Sequence, residues 1–293
     1  MKYLRNIFKL SQALIKSPNT FTKVVNVTPW ITEGYDFLKV KSNINENLNE
    51  NLNENLNENL INDNPLLEYF KMHQSGNGIE KWNHYFEIYH RHFSKFIGKS
   101  VDVMEIGIYS GGSLEMWRDY FGEKSHIYGV DIEEACRVYE NGHTSIFIGD
   151  QADRSFWGKV RDEVNQLDII IDDGGHTPEQ QQITFEEMFS HLKPGGVYVC
   201  EDIHGVFNRF SGFTLGIVGQ LNNYDKMVGS THRSSVSQLQ QSIHSIHFYP
   251  YVVVIEKHVI KLTDLCATKK GTNWQPFFNS NEKNNKIQKI DKI

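Results

Sequence analysis

The stretch Asp168-Ile-Ile-Ile-Asp172-Asp173-Gly174-Gly175-His176 concentrates groups that can do acid–base and metal chemistry. Three isoleucines carry the chain, as a strand would, into two adjacent carboxylates. Two glycines then permit a sharp turn and an imidazole follows. In an α/β sheet ligands bind beyond the carboxyl ends of the strands, so acids and a histidine delivered there read as metal ligands beside a general base. A second acidic pair, Glu201-Asp202, ends the next apolar run, Val197-Tyr-Val-Cys200, so two neighbouring strands would aim carboxylates at one place. Hard oxygen ligands of this kind suit Mg²⁺, which keeps several waters and takes few protein carboxylates. A hydroxyl coordinated to such an ion is acidified and oriented, and His176, with an ordinary pKa of about 6.5, is suited to remove its proton. The blander reading of His176 is a helix-entry residue, because Thr177, Pro178 and Gln180 form an N-cap, a first-turn proline and a capping box. That cap accounts for Thr177 and Pro178 but not for Asp172, Asp173 and His176.

The elements that must position these groups alternate between short apolar runs and helical patterns from Val101 onward, as in a mostly parallel sheet with helices on both faces. The expected strands are Val101–Ile106, His126–Val130, Thr144–Ile148, Asp168–Ile171, Val197–Cys200, Ile243–Tyr249 and Val252–Glu256. Only Pro250 and Tyr251 separate the last two, too few for a parallel crossover, so the sheet should end in an antiparallel hairpin. The first strand runs into Glu105-Ile-Gly107-Ile-Tyr-Ser-Gly111-Gly112-Ser113 and then a helix with Leu114, Trp117 and Phe121 on one face. Gly107 and Gly111 let the backbone pass close to a ligand, and the helix N-terminus suits a carboxylate. Glu105 stands where the dinucleotide fingerprint has its first glycine, which disfavours a pyrophosphate and suits an ammonium or hydroxyl group. Asp131, ending the second strand, is placed to accept hydrogen bonds from ribose hydroxyls, and Asp150 and Gln151, ending the third, could reach an adenine edge.

The series Glu-x-Gly-x-x-x-Gly-x-Ser, then Asp131, then Gly149-Asp150-Gln151 resembles class I S-adenosylmethionine-dependent methyltransferases. Ile170-Ile-Asp-Asp-Gly-Gly-His176, Leu192-Lys-Pro-Gly-Gly-Val-Tyr-Val-Cys-Glu-Asp202 and Ile243-His-Ser-Ile-His-Phe-Tyr249 together resemble the macrocin O-methyltransferase family, over roughly residues 64–257. That resemblance implies a Rossmann-like class I methyltransferase fold with a mostly parallel seven-stranded sheet. It implies S-adenosylmethionine and Mg²⁺ as cofactors, a sugar or glycan hydroxyl as acceptor, Asp173, Glu201 and Asp202 as metal ligands and His176 as base. The cofactor would lie against Glu105, Gly107, Gly111, Ser113, Asp131, Asp150, Gln151 and Asp172. The more distant catechol O-methyltransferases carry a base three residues beyond their metal aspartate, which favours Asp173 over Asp172 as ligand. Gly175 and Gln180 depart from a family pattern that often has Ser and a second His there, and the loop after Asp202 is not that of the macrolide enzymes.

The chain has 293 residues, 39% hydrophobic and 12% aromatic, enough to bury a full core. No apolar run approaches the roughly 20 residues needed to span a bilayer, and a net charge of −6 argues against nucleic-acid binding. Three widely spaced cysteines form no zinc pattern, in keeping with a reducing cytoplasm. The basic, amphipathic N-terminus has charges inside its apolar stretch and so lacks a secretory core. Leu48, Leu52, Leu56 and Leu60 recur every four residues in an Asn-Glu-Asn-Leu repeat, which composition assigns to a linker because Asn is a poor helix former. The expected organisation is an N-terminal extension (1–42), the repeat linker (43–64), a methyltransferase domain (65–258) and a polar tail (259–293). Nothing in the sequence fixes the oligomeric state, and a homo-oligomer is compatible with it. Two rivals are a nicotinamide-dependent oxidoreductase on a similar sheet and an inactive cofactor-binding module that recruits a partner; Glu105 and the terminal hairpin oppose the first, the intact acidic pairs and His176 the second.

Overall fold

The computed structural model describes residues 64–205, 208–223, 233–268 and 270. The N-terminal extension, the Asn-Glu-Asn-Leu repeat up to residue 63 and the Trp274–Phe278 segment lie outside the described residues. The strands are β1 (Asp102–Ile106), β2 (His126–Asp131), β3 (Thr144–Ile148), β4 (Leu167–Asp172), β5 (Leu192–Cys200), β6 (Arg233–Ser234), β7 (Ile243–Tyr249), β8 (Val252–Lys257) and β9 (Leu265–Cys266). The α-helices among the described residues are α1 (Pro65–Met72), α2 (Tyr85–Phe93), α3 (Gly112–Phe121), α4 (Arg154–Glu163), α5 (Pro178–Met188), α6 (Arg209–Leu221) and α7 (Gln238–Ser242).

Seven strands form one sheet in the order β3-β2-β1-β4-β5-β8-β7. β1 to β5 are parallel, while β8 runs antiparallel to both β5 and β7, so the sheet ends in the expected hairpin. Its central strands are apolar on both sides because helices cover both faces. On one face Val103, Ile169, Ile171, Val197 and Val199 pack with the aromatics of α2 and α3, among them Tyr89, Phe93, Trp117 and Phe121. On the other, Met104, Ile106, Ile170, Tyr198 and Cys200 pack with Trp157 and Val160 of α4 and Phe185 and Met188 of α5. Alternate residues of each strand therefore serve opposite cores, as the two-residue strand period demands. Among the described residues no helix is long and apolar enough to cross a membrane.

Two features differ from expectation. Lys193-Pro-Gly-Gly196, ahead of the strand expected from Val197, lies inside it: β5 begins at Leu192, and the register jumps from Leu167↔Leu192 to Ile169↔Val197. Gly195 absorbs that irregularity with φ +78°, its N–H donating to the His258 carbonyl. A second, two-stranded sheet of β6 and β9 also forms, from strands too short to show any periodicity.

Register delivers the site. Ile106 pairs with Asp172, and Asp172 with Cys200. The ladder runs one step further, with Asp173 N–H donating to Ile106 O at 3.0 Å, Glu201 N–H to Asp172 O at 2.9 Å and Gly107 N–H to Val130 O at 2.8 Å. At this level β1 and β4 turn away so close together that a Cβ on Gly107, whose φ is +83°, would stand 2.1 Å from the Asp173 carbonyl oxygen. Gly107→Ala should therefore destabilise the protein by ~2 kcal/mol or more, the left-handed penalty and the overlap acting together, measured as a lowered midpoint in urea.

Candidate active site

The strand period separates the acids at the sheet's carboxyl end. Glu105 faces the core that holds α2, and Asp173 and Glu201, each an odd step from a residue of the opposite core, emerge on that same side. Asp172 faces the other way, where Gln151 Nε2 and Tyr198 OH donate to it at 2.9 and 3.1 Å. Burial pushes the Asp172 carboxyl up to about 6, against these hydrogen bonds. The two adjacent aspartates are thus not equivalent: Asp173 is partly open to solvent and Asp172 is buried.

Between Glu105, Asp173 and Glu201 sits an ammonium that the sequence did not single out. Lys81 Nζ lies 2.5 Å from Asp173, 3.2 Å from Glu201 and 3.3 Å from Glu105, and its side chain is buried. Burial alone would lower the Lys81 pKa; the three carboxylates outweigh it and hold it well above the lysine range. Burial, reinforced by Asp173, pushes Glu201 well above the carboxylate range, with Lys81 and a 2.7 Å hydrogen bond from Tyr89 OH opposing it. Glu105 is also raised by burial, opposed chiefly by Lys81, and accepts from Ser113 Oγ at 2.6 Å. Its other oxygen, Oε1, makes the ion pair with Lys81 but no hydrogen bond.

Asp202 and His176 form the more open side. Asp202 Oδ1 accepts from Tyr85 OH at 2.6 Å and Trp82 Nε1 at 3.1 Å. Its Oδ2 lies 3.9 Å from His176 Nε2, and the imidazole is 39% exposed. Donor atoms of Asp173, His176 and Asp202 all fall within 4.8 Å of one another, a span one cation could bridge. His176 stands just ahead of the expected capping box, in which Thr177 and Gln180 bond reciprocally and Pro178 opens α5. The helix-entry reading of that segment is borne out, and it leaves His176 just ahead of the cap.

A cavity of about 740 Å³ extends from these groups along the ends of β1, β2 and β3, a size suited to a cofactor. Gly107, Ser113, Asp131, Asp150, Gln151, Asp173, His176, Glu201 and Asp202 line it. Asp131 Oδ2 accepts from the Ile108 and Tyr109 N–H groups, both at 3.1 Å, which shapes the turn after β1. Gln151 is mainly a tie: besides Asp172 it bonds Thr184 Oγ1, and its Oε1 accepts from Gly175 N–H at 2.7 Å. Asp150 accepts from Ala152 N–H in its own turn. Glu105, Gly111 and Asp172 lie behind the wall; Gly111 starts α3 with φ +75°, where a Cβ would strike the Tyr139 ring.

Among the described residues four that are not glycine have positive φ: Tyr109 (43°), His176 (56°), Asp202 (52°) and Tyr251 (65°). The first three line the cavity, and Tyr251 packs on its wall residue Trp82. Such conformations persist where the surroundings enforce them, and they cluster at functional sites. Lys81 and Trp82 escaped sequence reading because the segment before α2 has no hydrophobic period; the signal that could have found them is the excess of buried acid, which needs a cation. A second group of donors, His92, His247 and Glu256, lies at the other end of the sheet. There His92 uses both ring nitrogens, on Glu256 at 2.7 Å and Tyr249 OH at 3.0 Å, and the arrangement is structural.

Known proteins resemble this chain. A methyltransferase-domain family matches residues 104–203. The 8-demethyl-8-α-L-rhamnosyl tetracenomycin-C 2′-O-methyltransferase of Streptomyces olivaceus is 31% identical over 203 residues, 62% of this chain and 52% of its own length. The mycinamicin VI 2″-O-methyltransferase of Micromonospora griseorubida is 31% identical over 189 residues, 58% of this chain and 47% of its own. The chain spans about half the length of these curated relatives. Among solved structures, the MycE methyltransferase from the mycinamycin biosynthetic pathway, in complex with Mg and SAH, has a TM-score of 0.56 and 25% identity, covering 66% of this chain and 54% of that one. Residues 104–203 therefore match a methyltransferase domain, and the chain is similar to sugar O-methyltransferases of tetracenomycin and mycinamicin biosynthesis.

Proposed function

We propose that the protein is an Mg²⁺-dependent O-methyltransferase that moves a methyl group from S-adenosylmethionine to a hydroxyl of a sugar or glycoside. The observation that carries this reading is the convergence of Asp173, His176 and Asp202 at the mouth of a cofactor-sized cavity. The residues fit both groups. Carboxylate oxygens suit Mg²⁺, whereas an imidazole is a poor ligand for it, so Asp173 and Asp202 would hold the ion and His176 stay free. Gly107 and Ser113, on either side of the turn from β1 into α3, both line that cavity. When bound, the cofactor supplies an electrophilic methyl group and the ion a positive charge that acidifies a coordinated hydroxyl.

The chain's own residues do the rest. His176, held at φ +56° ahead of α5, receives the hydroxyl proton on its exposed ring. Tyr85 and Trp82 fix the Asp202 carboxylate, so that one oxygen is engaged and the other faces His176. Lys81 balances Glu105, Asp173 and Glu201, and Glu201 would be the third residue to hold the ion.

Titration calorimetry of the whole chain should show S-adenosylhomocysteine binding and no NAD binding, and methyl transfer from labelled S-adenosylmethionine to glycoside acceptors should stop in EDTA and return with Mg²⁺; NAD binding, or full activity in EDTA, would refute the reading. His176→Ala should bind S-adenosylhomocysteine normally and lose kcat about 10²–10⁴-fold, the scale of general-base catalysis; a near-normal kcat would remove His176 from the role. Lys81→Met leaves three carboxylates without their cation, so in EDTA it should lose ~3–5 kcal/mol of stability in urea melts. Mg²⁺ should then stabilise this variant more than it stabilises the wild type.

A further inference from the structure

At the rim of the site, on the side of Asp202, three aromatic rings are held in place yet left open. Trp82 is 50% and Tyr251 43% exposed, and the His204 side chain is 52% exposed. The Tyr251 ring lies 5.6 Å from Trp82 and 4.7 Å from His204. Each is anchored. Trp82 Nε1 donates to Asp202, Ile203 N–H donates to the Tyr251 carbonyl at 2.9 Å, and the His84 ring bonds the neighbouring Pro250 carbonyl at 3.0 Å. His204 Nε2 lies 3.8 Å from Asp202 Oδ1. Single exposed apolar residues need no explanation, but a fixed cluster beside a reactive centre does.

The backbone at Tyr251 adds an independent observation. β7 and β8 are joined through Pro250 and Tyr251, and Tyr251 takes φ +65°. Glycine occupies such a turn position without strain, so here the chain accepts strain in order to carry a ring.

We propose that Trp82 and Tyr251, with the His204 ring edge-on to Tyr251 at 81°, form the stacking surface for a neutral pyranose ring of the acceptor, which presents a hydroxyl to Asp202 and His176. This rests on the sugar O-methylation reading above. A pyranose has a face of polarised C–H groups that packs on an electron-rich ring face, while its hydroxyls stay at the edge, free to reach an ion. Because Trp82 is already tied to Asp202 and the Tyr251 backbone is pinned, little freedom is lost there when a sugar binds. The neighbouring carboxylates disfavour an anionic sugar, so the class is a neutral glycoside.

Saturation-transfer NMR on the full chain with S-adenosylhomocysteine and Mg²⁺, using methyl α-L-rhamnopyranoside as the probe, tests this. The wild type should transfer saturation to the C–H protons of one sugar face. Tyr251→Gly, which relieves the turn and removes the ring, should weaken binding about fivefold, the scale of one aromatic contact. Tyr251→Phe should restore it, with S-adenosylhomocysteine affinity unchanged in both. Equal sugar affinity in Tyr251→Gly, or no saturation transfer in a wild type that binds S-adenosylhomocysteine, overturns the stacking face alone. A wild type that does not bind S-adenosylhomocysteine overturns the methyl-transfer reading and this proposal with it.

Discussion

Like charges placed at the ends of adjacent parallel strands repel strongly once water is removed, and this constraint organises the molecule. Strand spacing and register bring Glu105, Asp173 and Glu201 together from β1, β4 and β5. Burying two of these carboxylates beside a third would be prohibitive without compensation. The chain provides it with one buried ammonium, Lys81, and with the phenol of Tyr89 from α2. The segment leading into α2 is consequently tied to the sheet by charge as well as by the aromatic packing of Tyr89 against Phe93 and Trp117. Fold and site share their central contacts, and neither could be altered there without the other.

The two-residue period of β4 gives neighbouring aspartates different duties. Asp172, held by Gln151 and Tyr198, belongs to a network that links the end of β3 to the glycine turn through Gln151 and Gly175. Asp173, on the opposite side, meets Lys81 and the open half of the site. A single acid could not both lock the turn and remain available to a cation.

Much of this was legible in the sequence. The parallel strands, the terminal hairpin at Pro250-Tyr251 and the cap at Thr177 follow from apolar runs, a two-residue gap and local side-chain chemistry, all short-range signals. Asp173, His176 and Asp202 could be found because strand ends are where such an architecture places its chemistry. Lys81 and Trp82 could not, since their hydrogen-bond partners are 92 to 120 residues away and no period marks their segment. Gln151 was legible as a polar strand-end residue, but its use as an internal tie depends on where Gly175 and Thr184 come to lie. Glu105 shows the same limit: its position in the motif was plain, while its place behind the cavity wall depends on Lys81 and Ser113.

The left-handed residues around the cavity bear on how such a protein responds to selection. Tyr109, His176, Asp202 and Tyr251 each hold a conformation costing about 1–3 kcal/mol. Against a typical folding free energy of about 5–15 kcal/mol, their sum is a large share of the margin. A screen for heat tolerance alone would therefore tend to collect glycine at these positions, trading function for robustness. Robust and active variants would have to gain stability elsewhere, in the two cores, and leave the rim strained.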